Sequence, residues 1–273
     1  MTGGYKLAAF DMDGTLLDSD KKIRQDSIDA LQKASDLGRY LCLSTGRNSS
    51  ELEEYKRLVP MIRYYICTSG ALIVDVKTNE TLFANPFNSE TVLKLLELGQ
   101  KFSAVIQILG SDSGIMCRSE NSPVPRNGNK RDPMAGLVME KCAEVIEKYR
   151  SDPFPVYKIN FYCADRPACE EVYSQLQNID ITVCYGSPRS VECSPAGVSK
   201  AVGLAELCRL LDIDISETIA VGDGDNDIGI LRAAGLGVAM GNADDEVKKA
   251  ADTVTESNDS NGIQQVIMNY LIW

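Results

Sequence analysis

Two rhythms of apolar residues alternate along the chain. Short apolar runs at 7–10, 40–43, 64–68, 72–76, 81–84, 218–221 and 236–240 are bounded by Gly, Asp, Asn, Ser or Thr. Runs of that kind belong to strands, several of them buried on both faces. Between them the apolar positions recur at helical spacing. Ile28, Leu31, Ala34 and Leu37 precede Gly38, and a helix from about Ser50 is capped by Asn48 or Ser49. Further helices are predicted over 199–211 and 228–234, from about Ala243, and at the C-terminal end beyond a short strand at 253–255. Strands separated by helices of this length build a parallel sheet with helices on both faces, an α/β fold of three layers.

The pattern changes at Asn85. A helix over 89–101, strands at 104–109 and 114–118, and a loop rich in Asn, Pro and Gly over 119–133 come first. A helix at 137–149, a strand at 157–162, a helix at 167–177 and strands at 181–185 and 190–193 follow. This stretch has its own apolar faces, so residues 85–186 are expected to form an inserted α+β domain, with 1–84 plus 187–273 as the main domain. Residues 85–186 carry 11 basic and 13 acidic side chains, a net of −2 out of −11 for the whole chain.

Composition narrows the chemistry. A chain with 44% hydrophobic and 25% charged residues is a soluble globular protein. No apolar run approaches the length of a membrane span, and no signal peptide opens the sequence. A net charge of −11 sets it against nucleic acid and anionic membranes, so neither is an expected partner. The nine cysteines are odd in number, scattered, and form no C-x-x-C; Cys42, Cys67 and Cys184 lie inside apolar runs. They read as reduced and buried in a cytoplasmic protein. There is no histidine. Ser-His-Asp and Cys-His catalysis are excluded, and a zinc site is disfavoured. Carboxylates, lysine, arginine, hydroxyls and backbone are left to do the chemistry.

Three strand runs end in turns rich in such groups. The first enters Asp11-Met12-Asp13-Gly14, the second Ser44-Thr45-Gly46-Arg47, the third Gly222-Asp223-Gly224-Asp225-Asn226-Asp227. Ligands of open parallel sheets bind at the carboxyl ends of strands, so these turns could converge. If the backbone stays extended through Met12, Asp11 and Asp13 point to the same side. Two carboxylates in one small site call for a cation or a shared proton, although an Asp-rich turn or helix cap leaves the same trace. The later acidic run is no EF-hand, because Ile228 and Ala234 stand where glycine and glutamate are needed. Nor is it a dinucleotide loop, because Asp227 replaces the third glycine, and no P-loop motif occurs. Lys200 opens the helix after Ser199. A hydroxyl, a lysine, backbone N–H groups and several carboxylates around magnesium are together what phosphoryl transfer requires.

Asp11-Met12-Asp13-Gly14-Thr15, Thr45-Gly46-Arg47, Lys200, and the run 222–227 followed by Gly237-Val238-Ala239-Met240-Gly241-Asn242-Ala243 resemble, in order, the four motifs of the haloacid dehalogenase-like phosphatases. The last two runs and the insertion resemble the Cof-type sugar-phosphatase branch. The match covers both ends of the chain, about 170 residues, while the insertion matches only in position and size. Ser69-Gly70 departs from the Asn-Gly expected in that branch, which touches the cap-facing rim and not the catalytic set.

The resemblance implies a Rossmann-like core with an inserted cap that closes over the site. It implies Asp11 as nucleophile and Asp13 as the acid and then base. Magnesium is implied on the Asp11 carboxylate, the Asp13 main-chain carbonyl and Asp223, with Asp227 either binding the ion or steadying a group that does. Thr45, Lys200, Asn226 and the N–H groups of Met12 and Gly46 are implied to bind the phosphate. Arg47 either touches substrate or pairs on the surface. Arg126, Lys130 and Arg131 either line the cap's mouth or form a solvated loop. The aromatic residues within 157–162 read as cap core rather than as a platform for a sugar.

The expected function is a magnesium-dependent phosphomonoesterase for small phosphorylated metabolites, sugar phosphates foremost, working through an aspartyl-phosphate. One rival is a phosphomutase or phosphotransferase on the same scaffold; the other is a non-catalytic metabolite-binding regulator. The chain is expected to be a monomer or a weak homo-oligomer.

Overall fold

The computed structural model describes residues 4–124 and 139–272. The chain divides into two compact units, Met1–Ala84 with Val198–Trp273, and Asn85–Gly197. The first unit opens with β1 (Leu7–Phe10), α1 (Gln25–Asp36), β2 (Tyr40–Ser44), α2 (Glu53–Leu58), β3 (Tyr64–Cys67), β4 (Leu72–Asp75) and β5 (Glu80–Ala84). The second unit follows with α3 (Ser89–Lys101), β6 (Val105–Leu109), β7 (Gly114–Arg118), β8 (Met139–Lys141), α4 (Cys142–Ser151), β9 (Lys158–Tyr162), α5 (Arg166–Leu176), β10 (Ile181–Ser187) and β11 (Ser190–Pro195). The first unit resumes with α6 (Lys200–Leu211), β12 (Thr218–Gly222), α7 (Ile228–Ala233), β13 (Leu236–Ala239), α8 (Asp245–Ala250), β14 (Thr253–Val254) and α9 (Gly262–Val266).

The first unit's strands form one sheet in the order β14-β13-β12-β1-β2-β3-β4-β5. Pairing is parallel from β14 to β3, and β4 and β5 add an antiparallel edge. The strands are short, and their alternate residues are buried on opposite faces. Leu7, Ala9, Cys42, Ile66 and Ala220 pack with Leu204 and Leu207 of α6, Ile230 and Leu231 of α7 and Val247 of α8. Helices α1 and α9 pack on each other, and α1 also packs on β2. In register, Phe10 stands level with Leu43 of β2 and Val221 of β12. The central strands therefore stop together, and the three chemistry-bearing turns leave the sheet along one edge.

Asn48 caps the segment after β2. Its Oδ1 accepts from the Glu51 N–H at 3.1 Å, while its own N–H donates to Glu51 Oε2 at 2.9 Å. A 3₁₀ turn, Ser50–Leu52, precedes α2, so the regular helix starts later than the spacing predicts.

In the second unit six strands form a sheet in the order β10-β11-β9-β6-β7-β8, antiparallel except for β7 with β8. Leu95 and Leu96 of α3, Val145 and Ile146 of α4, and Cys169 and Val172 of α5 pack on Ile106, Ile108, Ile159, Phe161 and Val191.

Four expectations are corrected here. The return to the first unit falls at Val198 and not at 187, because β11 pairs with both β10 and β9 and so keeps 187–197 in the second sheet. The helix expected over 137–149 begins at Cys142, because Met139–Lys141 pairs as an edge strand with β7. Residues 137 and 138, like Arg126, Lys130 and Arg131, lie outside the described residues. All nine cysteines are free, and eight are buried, but Cys184 is exposed. Phe161 is cap core as expected, whereas Tyr162 packs on the opposite side of the sheet, beside Val105 and Met116. Among the described residues, no helix is long and apolar enough to cross a membrane.

Candidate active site

Asp11 is the first residue beyond β1, and its N–H still bonds the Val221 carbonyl of β12 at 2.9 Å. The chain then turns: Thr15 and Leu17 return their N–H groups to the Met12 carbonyl, at 3.3 and 2.8 Å. Because the turn starts at Met12, the two-residue alternation stops there, and the aspartates acquire different partners. Asp11 is buried and accepts from Lys200 Nζ at 2.5 Å. Asp13, with its side chain 41% exposed, is clamped between Arg47 and Lys21. Arg47 donates from Nε and Nη2 at 2.8 to 3.0 Å, and Lys21 Nζ lies 2.8 Å away.

Gly14 makes the turn possible. Its φ of +88° suits glycine, and a Cβ there would lie 2.2 Å from Asp223 Oδ2. The first turn and the third are thus in direct apposition.

Lys200 is the first residue of α6, with Ser199 Oγ capping the helix by accepting from the Val202 N–H at 3.2 Å. Its ammonium, only 2% exposed, bridges Asp11 Oδ1 and Asp227 Oδ1, the latter at 2.6 Å. Thr68, Ser69 and Gly70 all take positive φ beneath it. A Cβ on Gly70 would lie 2.1 Å from the Ser199 carbonyl oxygen, so glycine is what lets the helix start come this close.

Asp227 uses both carboxylate oxygens. Oδ1 holds Lys200, and Oδ2 accepts from the N–H groups of Asp223 and Gly224 at 3.1 and 3.0 Å. Asp223 Oδ1 accepts from Thr15 Oγ at 2.7 Å, and its Oδ2 lies 3.4 Å from Asn242 Nδ2. Asn242 also donates to the Gly14 carbonyl at 2.8 Å and accepts from the Asn258 N–H. One oxygen each of Asp11, Asp223 and Asp227 lies within 4.8 Å of the others, a group able to hold a metal ion.

The titration of these groups follows from their surroundings. Burial pushes Asp11 up to about 7, against the opposing charge of Lys200 and with the help of Asp227. Burial also raises Asp223, opposed by the Thr15 hydroxyl. For Asp13, partial burial is outweighed by Lys21 and Arg47, which hold its carboxyl below the usual range. For Lys200, burial is outweighed by Asp11 and Asp227, and its ammonium is held charged.

The second turn is clasped to its neighbour. Thr45 is buried, with its N–H on the Ile66 carbonyl and its Oγ accepting from the Arg47 N–H at 3.2 Å. Ser69 donates its N–H to the Thr45 carbonyl, and Thr68 donates to that of Arg47. Gly46 is half-buried beside it, Met12 is buried in the first turn, and Asn226 is exposed on the third. Asp11, Asp223, Asp227 and Lys200 are thus one contact cluster, and Asp13 with Arg47 forms a second. Sequence reasoning assigned no part to Lys21, Thr15, Asn242 or Asn258. Thr15 and Asn242 stood inside quoted motifs and were within reach of it, whereas nothing in the sequence marks Lys21.

The model of the haloacid dehalogenase-like hydrolase family matches residues 8–267. The chain belongs to that family. It is 28% identical to 5-amino-6-(5-phospho-D-ribitylamino)uracil phosphatase YcsE of Bacillus subtilis, over 98% of this chain and 96% of the relative. It is 26% identical to pyridoxal phosphate phosphatase YbhA of Escherichia coli, over 98% of this chain and 99% of that one. A phosphatase of the same superfamily from Bacteroides thetaiotaomicron superposes with a TM-score of 0.83 at 29% identity, covering 97% of this chain and 95% of that structure. The two curated relatives are named for different phosphates at nearly equal identity, so likeness to this hydrolase does not select a substrate.

Proposed function

We propose that this haloacid dehalogenase-like hydrolase is a magnesium-dependent phosphatase of small phosphorylated metabolites, sugar phosphates foremost, working through an aspartyl-phosphate. The observation that carries the reading is the buried ammonium of Lys200 held between Asp11 and Asp227, with Asp223 in reach. The relatives named as phosphatases of a phosphoribityl compound and of pyridoxal phosphate support the substrate class.

The donor set fits magnesium. It consists of oxygens alone, which suit a hard divalent cation, and burial raises Asp11 and Asp223 as expected of carboxylates awaiting a counter-charge. Asp11, Asp223 and the Asp13 carbonyl would hold the ion. Asp227, whose oxygens are both engaged, would keep Lys200 and the backbone of 223 and 224 in place. The bound ion would neutralise charge on the phosphate and on the attacking carboxylate.

Asp11 then attacks phosphorus, the bond from phosphorus to the leaving oxygen breaks, and Asp13 gives its proton to that oxygen. In the second half Asp13 takes a proton from water, the water oxygen bonds phosphorus, and the bond from phosphorus to the Asp11 oxygen breaks, which frees inorganic phosphate and restores the Asp11 carboxylate. Lys200, Thr45, Asn226 and the N–H groups of Met12 and Gly46 are read as the phosphate's partners. Arg47 sits on Asp13 and is read as the cation that an arriving phosphate would share. The inserted second unit is read as the cap that selects the substrate.

The test is a screen of sugar phosphates, nucleotides, cofactor phosphates and an aryl phosphate, with and without magnesium, reading free phosphate. Asp11→Asn should abolish turnover with the fold intact by circular dichroism. Turnover retained in that variant would sink the nucleophile assignment. Absence of hydrolysis across the panel would sink the phosphatase reading, and phosphorylated alcohol in place of free phosphate would mark a transferase.

A further inference from the structure

Two buried thiols of the second unit meet in its core. Cys117 of β7 and Cys142, the first residue of α4, are 0% and 1% exposed and pack in the same apolar cluster. Their Sγ atoms are 3.2 Å apart, in hydrogen-bond contact, and both thiols are free. The parallel pairing of β7 with β8 brings them together, since it sets Cys117 level with Glu140, two residues before Cys142. The shared hydrogen bond treats the two sulfurs unequally. It outweighs burial at Cys142 and holds that thiol below its ordinary value, while at Cys117 the same bond, with burial, pushes the thiol up. A helix N-terminus also favours a thiolate. Cys67 and Cys193 are as deeply buried, and burial pushes both up. Cys163 and Cys169 share a hydrogen bond too, yet burial leaves both raised.

Cys142 also lines a cavity of about 250 Å³, together with Arg118, Glu120, Asn121 and Lys141. Lys141 Nζ is engaged by Glu120 and Glu144, at 3.5 and 3.8 Å. Arg118 donates from Nη2 to the carbonyls of Ser122 and Val124, but its Nη1 is buried and has no acceptor among the described residues. A buried donor is costly to keep unless something accepts from it. A sulfur inclined to ionise, a second thiol in contact with it and an idle donor at one small polar cavity are what reduction of a hydroperoxide requires. We propose that Cys142 and Cys117 form a redox-active dithiol site that takes a hydroperoxide, hydrogen peroxide foremost, and closes to a disulfide that braces α4 against β7. The Cys142 thiolate attacks one peroxide oxygen, an S–O bond forms, the O–O bond breaks, and the departing hydroxide takes the proton Cys142 gave up. The Cys117 sulfur then attacks the Cys142 sulfenic acid, an S–S bond forms, the S–O bond breaks, and the second hydroxide leaves as water with the Cys117 proton. The two sulfurs together lose two electrons, and one peroxide becomes two waters. Arg118 Nη1 is the donor for the peroxide oxygen that departs. The site lies within the second unit and does not rest on the phosphatase reading.

The test treats the reduced full chain with hydrogen peroxide near neutral pH, blocks remaining thiols by alkylation and maps peptides by mass spectrometry without reductant. A peptide linking Cys117 to Cys142 should appear before any link between Cys163 and Cys169. In Cys117→Ala, dimedone should trap a sulfenic acid on Cys142; in Cys142→Ala it should trap none on Cys117. Arg118→Gln, with its fold checked by circular dichroism, should slow the link by about tenfold, one charge-assisted hydrogen bond's worth. The bridge closes a ring across a sequence separation of 25 residues, so the linked parent should melt about 5–10 °C above the reduced one. Dithiothreitol should abolish that rise, and neither alanine variant should show it. Absence of the link at peroxide doses that modify the exposed Cys184 overturns the proposal, as does a link formed only in denaturant. A link between Cys163 and Cys169 that forms first, or an undiminished rate in Arg118→Gln, removes the cavity as the peroxide's site. A linked parent that melts within about 2 °C of the reduced one overturns the brace.

Discussion

Replacing Lys200 by Met tests the centre of the site most directly. The substitution keeps a long side chain in a pocket where Lys200 is 2% exposed, but removes the only cation that Asp11 and Asp227 share among the described contacts. Taking one partner from a buried ion pair costs about 3–5 kcal/mol, because a charge is left without compensation. At about 2–4 °C per kcal/mol for a domain of this size, the first unit should melt about 6–20 °C lower at pH 8. The loss should be smaller at pH 5.5. Without Lys200 the charge that opposes the burial of Asp11 is gone, its folded-state pKa rises further above the unfolded one, and protonation then favours the folded chain. That stability is present at low pH and lost as pH rises through the folded value. Added magnesium should recover part of the loss at pH 8, since a cation among Asp11, Asp223 and Asp227 replaces the missing charge. The assay is a pair of thermal melts with and without magnesium at each pH, alongside phosphate release. A variant that melts within about 2 °C of the parent at both pH values would refute the account of Lys200 as the charge that holds these carboxylates together.

Two further outcomes follow from the same contacts. In metal-free buffer the stability contributed by Asp11, raised to about 7, is complete below its unfolded value and is lost as pH rises through about 7. Magnesium must displace that proton, so the rise in melting temperature caused by magnesium should grow from pH 5.5 to pH 8; a rise independent of pH would count against Asp11 as a ligand. Gly14→Ala places a Cβ 2.2 Å from Asp223 Oδ2 at a φ of +88°. It should destabilise the chain by roughly 1–3 kcal/mol and weaken magnesium binding more than Gly38→Ala, which meets nothing within 4 Å. Equal effects of the two on metal affinity, read by titration calorimetry, would remove Asp223 from the site.

Much of the first unit could be read directly from its residues because burial and chemistry there leave local traces. A strand buried on both faces shows as an apolar run, and its carboxyl end shows as a glycine beside polar groups. Parallel pairing brought three such ends level, Phe10 with Leu43 and Val221, as the topology of open sheets requires. What escaped depended on details with no such trace. Whether Asp11 and Asp13 share a side rests on where the turn begins, and the bonds to the Met12 carbonyl start it one residue too early for that. Lys21 reaches Asp13 from a turn in which its own φ is 62°, held by Asp18 Oδ1 and by the Ser19 bonds to Asp259. Neither contact has a period or a motif. The second unit's boundary was misplaced because Gly186-Ser187-Pro188 looks like an exit loop, whereas Gly186 and Ser187 end β10 and the chain turns back through Pro188 and Arg189 into β11. The three-residue β8 is specified by its edge pairing with β7 rather than by its own composition.

The two aspartates end in opposite electrostatic settings, and the opposition bears on the proposed chemistry. The protein's own groups put Asp11 high, through burial, and Asp13 low, through Lys21 and Arg47. A nucleophile must be ionised and a general acid must be protonated, so these settings are the reverse of what the first chemical step needs. On the proposed reading both are corrected by what binds. A divalent cation held by Asp11, Asp223 and the Asp13 carbonyl would favour the Asp11 carboxylate, and an arriving phosphate would compete for Arg47, leaving Asp13 with one cation instead of two. Substrate and metal would then each complete one half of the acid and nucleophile pair, and water without a phosphate would meet an Asp11 that is partly protonated and an Asp13 that is still clamped.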